Sequence, residues 1–291
     1  MPELPEVEIT RQRIAPLLVG RQIADVVTTA PSYFFITPPE ILRSRLRGST
    51  ILGLERRGKY LLGLLPDGGQ LLLHLGMTGQ LFSSRAKSVR LLSAAARSAL
   101  PPEEQGEFEP DRHTHLRFKF QDHGPEVYFR DVRKFGKVML LAPGERNERI
   151  DRLGIDALEI TGDELFKATR KRKTAIKALL LDQSVFAGIG NIYADEALFY
   201  AGVRPGRRAM SMTRLACEEI AREVRRVLLR SIETGGSSIS DYIAPDGSDG
   251  RYQDERRVYA RTGEPCYVCR TTIRRKLVAQ RATHYCPQCQ S

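Results

Sequence analysis

The chain begins MPELPEVE, which sets Pro2 beside the carboxylates of Glu3 and Glu6. A small residue after an initiator Met favours removal of that Met, and the mature chain would then start with the free secondary amine of Pro2. An α-amino group has an unperturbed pKa near 8 against about 10.4 for a lysine side chain, so far more of it is unprotonated at neutral pH. Such an amine is a candidate nucleophile, and an adjoining carboxylate a candidate general acid. The plainer reading places both glutamates in the first turn of a helix, where they complement its dipole.

A second chemical group is built from cysteine. Four of the five cysteines fall in CYVC, Cys266 and Cys269, and CPQC, Cys286 and Cys289, with sixteen residues between the knuckles. This spacing supplies four thiolates for tetrahedral zinc, and a set closed by four sulfurs leaves no position for water, so the metal is expected to be structural. Disulfides are the competing use, disfavoured in a chain without a secretion signal. The intervening RTTIRRKLVAQRATHY fits a β-hairpin whose tip could enter a groove. Cys217 lies in a helical pattern and reads as a small buried apolar residue.

The third group is DQSVFAGIGNIYADEALF, in which a helix runs into Ala187-Gly188-Ile189-Gly190 and a new one starts at Asn191. Asn is a good helix cap, and glycines permit a tight turn and close backbone approach. The turn can hold a phosphate on the helix N-terminus or serve as a packing corner, and both readings stand.

The elements that must position these groups follow from pattern. Residues 3 to 19 place Val7, Ile14, Leu17 and Leu18 on one helical stripe ending at Gly20. Alternating and apolar runs then predict strands, with hairpins turning at PDGG and, between THLRFKF and EVYFRDV, at QDHG. In the second, Leu116, Phe118 and Phe120 alternate against His115, Arg117 and Lys119. A stretch of about thirty residues from Ser83 reads as a long loop with a short helix at VRLLSAAARSAL. DELFKATRKRKTAIKALLLDQ, NIYADEALFYAG and SMTRLACEEIAREVRRVLLRSIE are the predicted helices beyond Gly144, the last with Leu215, Ile220, Val224, Val227, Leu228 and Ile232 near helical spacing. GGSSISDYIAPDGSDGRYQ breaks all periodicity and reads as a loop.

Composition bounds the class. With 291 residues, 41% hydrophobic and 28% charged, the chain suits two or three folded domains. A net charge of +11, or +9 once four thiolates and Zn2+ add −2, favours a polyanionic partner such as nucleic acid. No apolar run approaches the roughly 18 residues of a membrane span, and no signal peptide is evident, so a cytoplasmic protein without a membrane partner is expected.

PELPEVE, RRGKYLL, HLGMTG, DVRKFG and GIGNIYADEALF, in that order and followed by the four-cysteine ribbon, resemble the formamidopyrimidine-DNA glycosylases, bacterial 8-oxoguanine DNA glycosylases. The likeness covers nearly the whole chain except roughly residues 84 to 110. It implies an α+β fold: an N-terminal β-sandwich with its helix over 1–145, a helix-two-turn-helix domain over 146–234, and a lesion-capping loop with zinc finger over 235–291. Double-stranded DNA with an oxidised base would lie in the cleft of a monomeric, nucleoid-associated enzyme. By the same resemblance Pro2 is the nucleophile, Glu3 the catalytic carboxylate, and Glu6 a supporting group at the pocket. Lys59, Asn191 and Arg281 match phosphate contacts near the lesion. Met77, Arg133 and Phe135 match the residues that fill the hole left by the extruded base. Lys134 stands where an arginine is common and keeps charge without bidentate geometry. Two other readings remain: an endonuclease VIII-like glycosylase for oxidised pyrimidines, against which Met77 and DVRKFG speak, and a non-catalytic zinc-ribbon binder, which has no need of Pro2 beside Glu3.

Overall fold

The computed structural model describes residues 2–86, 108–238 and 242–291, and the chain forms two compact units. The helix expected at 89–100 lies outside the described residues. The first unit comprises residues 1–147 and 234–251, the second 148–233 and 252–291. The sequence division joined residues 235–251 to the zinc finger. In the structure they pack with the N-terminal unit, because backbone groups of this segment bond to its first helix and strands, as with Ser83 N–H donating to Pro245 O at 3.3 Å.

In the first unit, helix α1 (Leu4–Leu18) has Glu3 as its N-cap and Val7, Ile14 and Leu18 buried, and Gly20 takes φ +76° just after it. Strand β1 (Ile23–Thr28) and helix α2 (Pro39–Leu46) precede seven further strands: β2 (Gly53–Arg57), β3 (Tyr60–Leu64), β4 (Gln70–His74), β5 (Gly79–Ser83), β6 (Thr114–Phe120), β7 (Val127–Asp131) and β8 (Lys137–Leu141). They form two antiparallel four-stranded sheets, β1-β6-β7-β5 and β2-β3-β4-β8. Both hairpins turn where PDGG and QDHG predict. One core contains Val26, Leu116, Phe118 and Phe129 of the first sheet with Leu61, Leu71, Leu73 and Val138 of the second, so the sheets share an interior. Each such side chain contributes about 1.5–3 kcal/mol on burial. His115 departs from the alternation: it is buried, its ring within 2.9 Å of Asp131 O and 3.2 Å of Thr29 Oγ1.

The second unit opens with α3 (Glu148–Asp151), β9 (Ile155–Asp156) and α4 (Gly162–Thr169). Thr161 and Glu164 form a reciprocal capping box at the start of α4. The expected long helix breaks here. Four consecutive cations, Arg170 to Lys173, follow α4, Lys171 takes φ +60°, and the chain instead pairs with residues 207–209 through Ile176 N to Arg207 O at 2.8 Å and Ala209 N to Thr174 O at 2.8 Å. Helix α5 (Ile176–Leu180) resumes after the break, then β10 (Phe186–Ala187), parallel to β9, leads to α6 (Asn191–Tyr200). Helix α7 (Arg214–Glu233) buries Cys217, Ile220, Val224, Val227 and Leu228, but Leu215 is 75% exposed because it lies in the first turn, off the apolar stripe. The chain closes with the predicted hairpin of β11 (Arg274–Val278) and β12 (Arg281–Tyr285). Ala279 and Gln280, at its two-residue tip, both take positive φ, the condition a tight hairpin of matching twist imposes.

Candidate active site and zinc centre

Pro2, Glu3 and Glu6 are all buried at the start of α1. Pro5 fixes φ in the first turn, where its missing N–H has no helical partner to lose. Glu3 and Glu6 form a capping box, with Glu3 N–H donating to Glu6 Oε2 at 2.9 Å. The other oxygen, Glu6 Oε1, accepts from Ser237 N–H at 3.0 Å. One carboxylate thus orients the backbone beside Pro2 and also anchors the stem of the 234–251 segment. Gly236 at that stem has φ +85°, and a Cβ there would sit 3.2 Å from Glu6 Oε1. Tyr242 of the same segment is buried nearby, and burial together with the Glu6 charge pushes its phenol far above the ordinary range.

Helix α1 also sets the turn that carries Lys59. Arg56 Nε donates to Glu8 Oε2 at 2.9 Å and Arg56 Nη1 to Gly58 O at 3.2 Å, joining α1 to the β2–β3 turn. Lys59 is buried there, although a turn lysine is usually solvated.

Met77, Arg133 and Phe135 are brought together on two adjoining turns of the first unit. Met77 is 38% and Phe135 42% exposed, unusual for large apolar side chains, and the Arg133 guanidinium lies 4.6 Å above the Phe135 ring. Gly76 has φ +65°, and a Cβ there would lie 2.4 Å from the Phe135 carbonyl carbon, so only glycine lets the turns approach. Lys134 takes φ +57°. Tyr33 Oη donates to Arg133 O at 2.8 Å. Asp131, which opens the DVRKFG motif and had no role assigned from sequence, is fully buried between these turns.

Asn191 and Arg281 are held together in the second unit. The structure makes Gly190, not Asn191, the N-cap of α6. Asn191 is the first helical residue, and its Nδ2 donates to Ala282 O at 2.9 Å, next to exposed Arg281. Behind them Lys177 and Asp195 form a fully buried ion pair at 2.7 Å. Lys177 Nζ also donates to Thr283 Oγ1 at 2.8 Å and Ala282 O at 3.2 Å, while Asp195 Oδ2 accepts from His284 N–H at 2.8 Å. Next along α6, Glu196 accepts the N–H groups of Arg257, Val258 and Tyr259 at 2.7–2.9 Å. Sequence reasoning missed Lys177, Asp195 and Glu196; the signal was charge on the apolar faces of two short helices.

The four cysteine sulfurs lie within 4.8 Å of one another, with Cys266 to Cys289 at 3.9 Å and Cys269 to Cys286 at 3.4 Å. A tetrahedron with Zn–S bonds near 2.3 Å has edges of about 3.8 Å, so the thiolates fit zinc. Cys289 N–H points to Cys286 Sγ at 3.4 Å, and Gln290 ties the knuckle down by accepting from Cys286 N–H and donating to Val203 O. Among the described residues no helix is long and apolar enough to cross a membrane.

Two antiparallel sheets fronted by a capped helix, a helical unit turning on Gly-Ile-Gly, and a four-thiolate finger define a modular architecture with a proline at its first helix. Family models match all three parts: the formamidopyrimidine-DNA glycosylase N-terminal domain over residues 1–138, its H2TH domain over 153–243, and a zinc finger found in FPG and IleRS over 263–291. A formamidopyrimidine-DNA glycosylase of Thiobacillus denitrificans is 42% identical over 292 residues, covering 100% of both chains. A Lactococcus lactis FPG mutant in complex with Fapy-dG containing DNA is 32% identical, covers 100% of both chains and superposes with a TM-score of 0.85. A MutM structure in complex with carbocyclic 8-oxo-G containing DNA matches likewise at 32% identity, 100% coverage of both chains and TM-score 0.84. The chain belongs to the formamidopyrimidine-DNA glycosylase family.

Proposed function

We propose that the chain is a bifunctional DNA glycosylase/AP lyase that removes 8-oxoguanine and formamidopyrimidines from duplex DNA and then cuts the strand. The observation that carries the reading is Pro2, buried beside the buried carboxylates of Glu3 and Glu6 at the cap of α1, in a chain that matches the family throughout. The amine of Pro2, exposed by loss of Met1, attacks C1′ of the damaged nucleotide, and the N-glycosidic bond breaks as the base leaves with a proton. Glu3 supplies the proton that opens the sugar ring. The resulting iminium acidifies the C2′–H, so β-elimination expels the 3′ phosphate and δ-elimination the 5′ phosphate. Hydrolysis then returns the free amine.

Glu6 orients this corner by fixing the Glu3 backbone and the 234–251 stem. Lys59, Asn191 and Arg281 hold phosphates about the lesion, because a base must leave the stack before its sugar is attacked. Met77 and Phe135 wedge into the vacated space, and Arg133 meets the orphan cytosine, with Lys134 adding charge beside it. Cys266, Cys269, Cys286 and Cys289 bind one structural Zn2+, which supports the Arg281 hairpin and takes no part in the chemistry. The enzyme acts as a monomer in the bacterial cytoplasm, at the nucleoid.

The test is cleavage of an end-labelled duplex containing one 8-oxoguanine opposite cytosine. The expected product is a one-nucleotide gap with phosphates on both sides. Cleavage at an oxidised thymine with none at 8-oxoguanine would move the reading to an endonuclease VIII-like enzyme, and binding without cleavage to a zinc-ribbon binder.

A further inference from the structure

We propose that Asp131 is a positioning residue for the void-filling group, a clamp that holds the Met77 and Arg133–Phe135 turns in one arrangement. The proposal rests on the reading that these side chains replace an extruded base. Asp131 ends β7 and is fully buried, and no ion pair among the described residues engages it. Its carboxylate is occupied by the two turns. Oδ1 accepts from the hydroxyl of Thr78, the residue after Met77, and lies 3.2 Å from Arg133 N; Oδ2 accepts from Gly136 N–H at 2.7 Å. Thr78 Oγ1 in turn accepts from Arg133 N–H at 3.1 Å.

Bonds to a buried carboxylate are charge-assisted and stronger than neutral ones. They bracket the three residues Arg133 to Phe135 from both ends, including Lys134, held in the left-handed region that a residue with a Cβ rarely adopts. The neighbourhood is shaped around the clamp. A Cβ on Gly136 would lie 3.0 Å from Asp131 Oδ2, and the Met77 turn closes through Gly79 N–H to Leu75 O at 2.9 Å. Met77 and Phe135 therefore project on a frame fixed by one carboxylate, and Arg133 stays stacked at 4.6 Å over Phe135. A rigid frame matters here, since a wedge must keep its shape while bases press on it.

The test compares Asp131→Asn, Thr78→Val and Arg133→Ala in single-turnover excision of 8-oxoguanine opposite cytosine and opposite adenine, with cleavage of a single-stranded abasic oligonucleotide as reference. Asp131→Asn sets an amide N–H against backbone donors, and a fall of about tenfold or more is expected opposite cytosine, with a shrunken cytosine-to-adenine ratio. Cleavage of the single strand, which has no orphan base, should stay within about twofold. Thr78→Val should move the ratio the same way by less, and decides the matter if Asp131→Asn does not fold. Effects of Asp131→Asn and Arg133→Ala should be non-additive. An unchanged ratio in Asp131→Asn, or in Thr78→Val where it must stand in, while Arg133→Ala lowers it would overturn the clamp alone. An unchanged ratio in Arg133→Ala would overturn the void-filling reading and the clamp with it. Equal loss on duplex and single strand would make Asp131 a general structural residue and also overturn the proposal.

Discussion

Replacing Lys177 by Met tests whether the buried pair in the second unit aligns the finger hairpin with α6. Lys177 and Asp195 are both fully buried, 2.7 Å apart, and Lys177 gives further bonds to Ala282 O and Thr283 Oγ1 of β12. Methionine fills the space of the lysine stem but takes away the ion-pair partner of buried Asp195, leaving the His284 backbone N–H and ring on its carboxylate. Breaking one side of a buried pair costs about 3–5 kcal/mol, a large share of the 5–15 kcal/mol that holds a typical domain together. For a unit of this size the loss corresponds to a fall in melting midpoint of roughly 10 °C or more. The double variant Lys177→Met/Asp195→Leu removes both charges and should be more stable than Lys177→Met alone, with a coupling of at least about 1 kcal/mol. Urea unfolding of the zinc-loaded protein, followed by circular dichroism and by amide exchange at His284, measures both. Ala282 O is also the acceptor for Asn191, so affinity for damaged DNA should fall in parallel. A cost below about 1 kcal/mol for Lys177→Met, or strict additivity in the pair, would refute the reasoning.

Three further outcomes are expected. Burial alone would raise the Glu8 pKa, but hydrogen bonds from Arg11, Gln12 and Arg56 outweigh it and hold the carboxyl below its ordinary 4.5. A depressed folded-state pKa gives stability that is fully present above the unfolded value and lost as pH falls through the folded one. Unfolding measured below pH 4.5 should therefore be less acid-sensitive in Glu8→Gln than in the native chain. Gly76→Ala adds about 1–2 kcal/mol of backbone strain and a clash with Phe135, so excision opposite cytosine should drop more than binding to undamaged duplex, as gel-shift and single-turnover assays would report. Chelation of zinc should abolish amide protection over residues 263–291 and lesion binding together, since a structural zinc site contributes about 10–16 kcal/mol in finger peptides.

Local pattern carried far into this fold. The stripe of Val7, Ile14 and Leu18, both hairpin turns and the CYVC and CPQC knuckles each depend on a few neighbouring residues, and the structure forms them as the spacing predicts. What pattern hid is long-range. Helical spacing runs through Arg170 to Lys173, yet the backbone of residues 172–177 bonds to residues 205–210 instead. Asn191 has the composition of a cap, but a carbonyl 91 residues away claims its side chain. His115 looks like an outward polar residue of a hairpin and is buried because residues distant in sequence supply its partners, while Asp131 lies on the face of Val127 and Phe129 and takes its partners from turns that local pattern does not reveal. The role proposed for Pro2 starts from the residue itself, a potential free secondary amine beside a carboxylate, and gains its weight from several motifs in one order, since a proline near a glutamate is by itself ordinary.

The most direct measurement is borohydride trapping on a duplex with one 8-oxoguanine opposite cytosine, followed by mass mapping of the adduct. The account predicts a covalent product on the N-terminal peptide at Pro2, absent in Pro2→Gly and in protein that retains Met1. An adduct on Lys59 or another lysine, or none from zinc-loaded protein beginning at Pro2, would contradict it.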